Sequence, residues 1–264
     1  MPEPSGTEPG QRRRAIYLLP NLLTTGTLFA GFYGIVAAID GHYTPAAISI
    51  FVAALLDGLD GRLARLTHTE SEFGKQYDSL ADMVAFGMAP AIIVYQWGLK
   101  TLADYGWAWG KLGWLAAFLY AVAAALRLAR FNVAAKTADR RFFEGLPSPS
   151  AAGLVASMVW VATQLELSGL LALAVSTAVT VLAGALMVSQ LAYYSFKEVG
   201  PRGRISFAYV FVIPLIFVLI ALDPPTVCFI IAATYALSGI VMALWRRQRR
   251  QSGRARRHES PSGR

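Results

Sequence analysis

An all-α, polytopic membrane helical bundle of about eight transmembrane helices, led by a short N-terminal interfacial helix, is the fold class this sequence predicts. Three observations predict it. The 264 residues are 55% hydrophobic and only 15% charged, a balance that excludes an ordinary water-soluble globule of this size. The apolar residues fall in blocks of roughly 20, the length a helix needs to cross a hydrocarbon core. The basic residues keep step with those blocks: with eight spans, all but Lys100 and Lys111 of the 24 Lys and Arg fall on one side.

Residues 1–10, rich in Pro, Gly, Ser and Glu, read as a disordered tail. Gln11–Leu19 joins three arginines to Ala15, Ile16, Tyr17, Leu18 and Leu19, which suits a helix lying in the interface; a charged flank that only sets topology fits equally well. Spans are then expected at Leu22–Ile39, Thr44–Ala64, Phe73–Trp97, Trp107–Leu128, Ala151–Leu165, Leu170–Tyr194, Phe207–Leu222 and Thr226–Trp245. Asp40-Gly41-His42, Pro147 and Pro149, Gly200-Pro201 and Asp223-Pro224-Pro225 punctuate them.

Residues 11–245 thus form one membrane domain, and 246–264 a basic cytoplasmic tail that is disordered from Gln251 onward. An even span count places both termini in the cytoplasm. The net charge of +8 is accounted for by topology and by contact with anionic headgroups, which argues against a nucleic-acid partner. Cys228 is the single cysteine and lies inside an apolar block, where it packs.

The chemistry is concentrated in two segments, Asp57-Gly-Leu-Asp60-Gly61-Arg-Leu-Ala64-Arg65 and Gly74-Lys-Gln-Tyr-Asp78-Ser-Leu-Ala-Asp82. Asp57 and Asp60 are spaced i, i+3, and Asp78 and Asp82 are spaced i, i+4, so each pair shares a helix face. Four unpaired carboxylates at membrane depth would cost on the order of 10 kcal/mol. Arg62 and Arg65 lie toward the water and are too few to offset this. Clustered carboxylates suit hard divalent cations such as Mg²⁺ or Mn²⁺, and the absence of Cys and His from the cluster disfavours zinc.

Residues 57–82 match every fixed position of Asp-x2-Asp-Gly-x2-Ala-Arg-x8-Gly-x3-Asp-x3-Asp, and by this pattern the chain resembles the CDP-alcohol phosphatidyltransferase family. The resemblance implies that Asp57, Asp60, Asp78 and Asp82 hold two divalent cations, Mg²⁺ or Mn²⁺. It implies that Gly61, Ala64, Arg65 and Gly74 contact the CDP moiety of the donor and that Asp82 doubles as general base. It also implies a homodimer among membrane lipids.

Three flanking stretches resemble the phosphatidylserine synthase branch of that family. They are Leu19-Pro-Asn21-Leu-Leu-Thr24, the run from Asp78 to Pro90, and Arg127-Leu-Ala-Arg130-Phe-Asn132 followed by Phe143-Glu-Gly145-Leu-Pro147-Ser-Pro149. The implied reaction moves a phosphatidyl group from CDP-diacylglycerol to L-serine and releases CMP, at the cytoplasmic face of a prokaryotic membrane. Asn21 suits a phosphate or the cytosine, although capping a helix after Pro20 is an equal use for it. Arg127 and Arg130, at i and i+3, suit an anion: the serine carboxylate, the donor phosphates or a lipid headgroup. Glycerol 3-phosphate and an inositol phosphate are alternative acceptors for the same aspartates. A cation-coupled transporter is the alternative of another class, and it does not account for the fixed Gly, Ala and Arg positions.

Overall fold

The computed structural model describes residues 9–67, 71–134, 143–193, 214 and 218–258. The described residues are helical apart from short connections and one two-residue strand pair. Helix α1 spans Pro9–Ile39, α2 Tyr43–Thr67 and α3 Glu72–Asp82. A π-helical turn at Met83–Met88 joins α3 to α4, Ala89–Trp97; a 3₁₀ segment, Leu99–Tyr105, then leads to α5, Trp107–Ala134. Strand β1, Phe143–Glu144, precedes α6, Ser148–Gln164, and α7, Leu170–Val188; strand β2, Ala192–Tyr193, precedes α8, Pro224–His258.

Helix α6 occupies the middle of the bundle, packing on α2, α7 and α8. Its inward residues include Ala151, Ala152, Val155, Ala156 and Val159, all fully buried. Outer helices instead present apolar side chains outward: Phe29, Phe32, Val36 and Ile39 on α1, and Leu115, Phe118, Leu119 and Leu126 on α5, are exposed. Apolar residues on the outside with small residues between helices are the arrangement lipid demands, because lipid offers no hydrophobic drive to hide them.

Small residues set the closest approach. A Cβ added at Gly31 would stand 2.6 Å from the Ala85 Cα, so α1 meets the π-helical turn backbone to backbone. Gly31→Ala is therefore expected to destabilise the protein by about 1–3 kcal/mol through overpacking, read as a lower Tm of the purified protein in detergent.

The π-helical turn also has an identifiable cause. Pro90 has no N–H to offer the carbonyl of Phe86 four residues earlier. The buried Tyr120 of α5 donates its hydroxyl to that carbonyl at 3.1 Å, satisfying it from outside the helix.

Among the described residues, five segments are long and apolar enough to cross a membrane: Asn21–Ile39, Glu72–Tyr105, Trp107–Val133, Leu170–Val188 and Pro224–Ala243. The sequence expectation of eight is thus met only in part. Helix α2 is long enough at 25 residues, but Asp57, Asp60, Arg62 and Arg65 make its second half polar; α6 has 17 residues and is sheathed by protein. The expected span Phe207–Leu222 lies largely outside the described residues. Residues 11–19 run unbroken into the first span as part of α1 rather than forming a separate helix. Helix α8 continues to His258, where disorder was expected from Gln251.

The strand pair has no counterpart in the sequence reading. Phe143 pairs with Tyr193 and Glu144 with Ala192, tying the segment before α6 to the segment after α7. The buried Tyr193 hydroxyl donates to the Ala236 carbonyl of α8 at 3.0 Å.

Candidate active site

The carboxylates come from the C-terminal half of α2 and the whole of α3, which meet across a short connection. Ser71 caps α3: its side-chain oxygen accepts from the Gly74 N–H at 3.0 Å, fixing where the helix begins and hence the direction in which Asp78 points. One oxygen each of Asp57, Asp60 and Asp78 lies within 4.8 Å of the others. At that spacing each ionised pair repels by about 3 kcal/mol with an effective dielectric near 20.

Helix α1 steadies this arrangement. Thr24 donates its hydroxyl to Asp60 Oδ2 at 2.6 Å, and Asp60 is buried. The hydroxyls of Thr25 and Tyr77 meet at 2.9 Å, joining α1 to α3 at the residue before Asp78. On the other flank, Asn132 Nδ2 donates to Ser79 Oγ at 3.0 Å and ties the end of α5 to α3.

Asp82 stands one turn beyond Asp78. It interacts electrostatically with Asp57, Asp78, Asp60 and Arg127, and its Oδ1 is buried without a hydrogen-bond partner. A buried carboxylate oxygen with no donor is costly unless a ligand supplies one.

The donor set fits hard divalent cations. It consists of carboxylate oxygens gathered at short range, with Arg62 and Arg65 exposed. Asp57, Asp60 and Asp78 form the group that could hold a metal; Asp82, expected as a fourth ligand, lies beside this group rather than within it.

The residues expected at the nucleotide lie on α1, on the last turns of α2 and at the start of α3. Among the described residues a Cβ at Gly61 would meet no atom within 4 Å, so none of them dictates its smallness. A Cβ at Gly74 would lie 3.6 Å from Asn21 Oδ1, which places Asn21 against the start of α3. Ala64 and Arg65 lie on the last turns of α2, with Arg65 exposed and the Ala64 side chain outside the described residues.

The two arginines of α5 part company. Arg127 turns inward, donating through Nη1 to Ser148 Oγ at 2.6 Å, whereas Arg130 is exposed. The supporting residues Thr24, Tyr77, Ser79, Asn132 and Ser148 were not singled out from sequence. The i, i+3 spacing of Asn21 and Thr24, which puts both on one face of α1, is the signal that could have found the first.

The sequence is similar to known proteins over most of its length. The profile described as CDP-alcohol phosphatidyltransferase matches residues 17–194. The chain is 35% identical over 231 residues to a CDP-diacylglycerol–serine O-phosphatidyltransferase of Helicobacter pylori (strain ATCC 700392 / 26695), covering 87% of this chain and 92% of that protein. It is 43% identical over 148 residues to the protein of the same description from Mycobacterium leprae (strain TN), covering 53% and 46% of the two chains. An archaetidylserine synthase of Methanothermobacter thermautotrophicus is 35% identical over 184 residues, 69% of this chain and 72% of that one. With the aspartates gathered as their spacing requires and a profile that spans most of the bundle, the chain belongs to the CDP-alcohol phosphatidyltransferase family.

Proposed function

We propose that the chain transfers the phosphatidyl group of CDP-diacylglycerol to L-serine, giving phosphatidylserine and CMP. The observation that carries the proposal is the juxtaposition of three clustered carboxylates with a fourth, Asp82, whose buried Oδ1 has no partner. The names of the Helicobacter and Methanothermobacter relatives support serine as acceptor.

The chain's own residues divide the work. Asp57, Asp60, Asp78 and, at the edge of the group, Asp82 would hold two divalent cations, Mg²⁺ or Mn²⁺. Such ions, when bound, supply Lewis-acid polarisation of the diphosphate and neutralise charge on the departing phosphate. Gly61, Ala64, Arg65 and Gly74, with Asn21 opposite, receive the CDP moiety, and Arg65 adds a charge-assisted contact to a phosphate oxygen. Asp82 accepts the proton of the serine hydroxyl as its oxygen attacks the phosphatidyl phosphorus; the new O–P bond forms as the bond to CMP breaks. No Ser, Cys or His belongs to the motif, so the displacement is direct and in line.

The same reading places the site and both termini at the cytoplasmic face of a prokaryotic membrane, with eight spans and a homodimeric assembly. Soluble serine and CMP then exchange with water while the diacylglycerol tails remain in lipid.

Purified protein incubated with CDP-diacylglycerol, Mn²⁺ or Mg²⁺ and one acceptor at a time is expected to release CMP with L-serine. Glycerol 3-phosphate and inositol phosphate are expected to give little. Strong turnover with either of these and none with serine would overturn the acceptor assignment.

A further inference from the structure

Arg127 is a partly buried cation that the phosphoryl chemistry leaves unused. Its Nη1 donates to Ser148 Oγ at 2.6 Å, yet its Nε is buried with no hydrogen-bond partner. Asp82 Oδ1, which interacts electrostatically with Arg127, is in the same condition. No direct ion pair joins these two groups among the described residues. A cation and an anion, each with one buried atom short of a hydrogen bond among the described residues, call for a small molecule that offers a negatively charged oxygen to one and a hydroxyl proton to the other. A hydroxy acid carries both.

The partner that aligns Arg127 is held by the fold. Ser148 is fully buried at the start of α6, between Pro147 and Pro149. The approach to it is fixed by Gly145, whose φ of 84° and close contact with the Met187 carbonyl exclude a side chain. The Gly145 and Leu146 N–H groups donate to the carbonyls of Leu191 and Leu186, both at 2.9 Å. Strand pairing and these two bonds set the Ser148 hydroxyl as a stationary acceptor, so the guanidinium plane is fixed before any substrate arrives. Tyr235 of α8, tilted against Tyr193 at 5.6 Å between ring centroids, interacts with the same guanidinium from a third helix.

We infer that Arg127, oriented by Ser148, is the subsite for the acceptor's carboxylate, and that Ser148 is a positioning residue which sets preference for a carboxylate-bearing alcohol. The inference rests on the serine reading given above and deepens it. An arginine held on one nitrogen by a neutral hydroxyl keeps its full charge for a carboxylate, and the remaining N–H groups are directed rather than free to rotate. The distance between Arg127 and Asp82 then selects acceptors by the separation of their carboxylate and hydroxyl groups.

The test uses full-length enzyme with CDP-diacylglycerol and two acceptors, L-serine and serinol, in which a second hydroxymethyl group replaces the carboxylate. Ser148→Ala is expected to raise the KM for serine about tenfold and to lower the preference for serine over serinol by the same factor. The KM for CDP-diacylglycerol should move little, and Ser148→Thr, which retains the hydroxyl, should restore both serine parameters. If Ser148→Ala raises the KM for CDP-diacylglycerol instead, Arg127 serves the donor phosphates and the inference is overturned. It is also overturned if serine and serinol lose equally, since that is the result of a structural role alone. A wild-type enzyme that releases CMP with glycerol 3-phosphate but not with serine would sink the serine reading, and the subsite with it. A wild type that uses serine, beside a Ser148→Ala enzyme of unchanged preference, would sink the subsite only.

Discussion

Asp78→Asn is expected to reduce metal-dependent CMP release on the order of 10³-fold or more while leaving an inserted, monodisperse protein. Asn preserves the shape of the side chain, so the packing of α3 against α1 has no reason to change. What disappears is one of three charges whose oxygens lie within 4.8 Å of one another. Two remaining carboxylates repel each other less and attract a divalent cation less, and Mn²⁺ titration of the purified variant should show the weakened binding directly. Asp57→Asn is expected to behave in the same way. A folded Asp78→Asn enzyme with wild-type turnover would remove the metal role from the cluster.

Asp82→Asn should be as slow for a different reason. An amide cannot take the serine proton, and loss of a general base costs about 10²- to 10⁴-fold. Because Asp82 lies at the edge of the three-carboxylate group rather than within it, this variant should lose less Mn²⁺ affinity than Asp78→Asn and should keep its KM for CDP-diacylglycerol. The two variants therefore separate on the metal titration although both are slow on the CMP assay. Equal loss of Mn²⁺ binding in both would make Asp82 a ligand first and would transfer the proton-accepting role elsewhere.

The aspartate cluster was readable because its chemistry follows helical periodicity. Asp57 with Asp60 and Asp78 with Asp82 each share a face whatever the rest of the fold does, and one short connection brings the faces together. The membrane class was equally open, since runs of apolar residues must be satisfied within their own helix. The supporting contacts were not. Ser148 lies 21 residues from Arg127 and Asn132 lies 53 from Ser79, and no local rule links them. The separate fates of Arg127 and Arg130 were hidden as well, because i, i+3 spacing predicts a shared face whereas α5 buries only one of them. Span counting was legible only in part: five of the expected spans are long and apolar enough among the described residues. Hydropathy measures the composition of a helix and not its surroundings, and α6, 17 residues long, is apolar while packed on α2, α7 and α8.

The π-helical turn between Asp82 and Ala89 carries a further consequence. Met83–Met88 bond with a longer repeat, as in the Ala89 N–H donating to the Val84 carbonyl five residues back. One surplus residue is worth about 100° of rotation on an α-helix. The carboxylate face of α3 and the packing face of α4 therefore belong to two angular phases of a single rod. Deleting one residue here would heal the rod into a regular helix and turn Asp78 and Asp82 away from Asp57 and Asp60, leaving every ligand present in the sequence and none of them in phase.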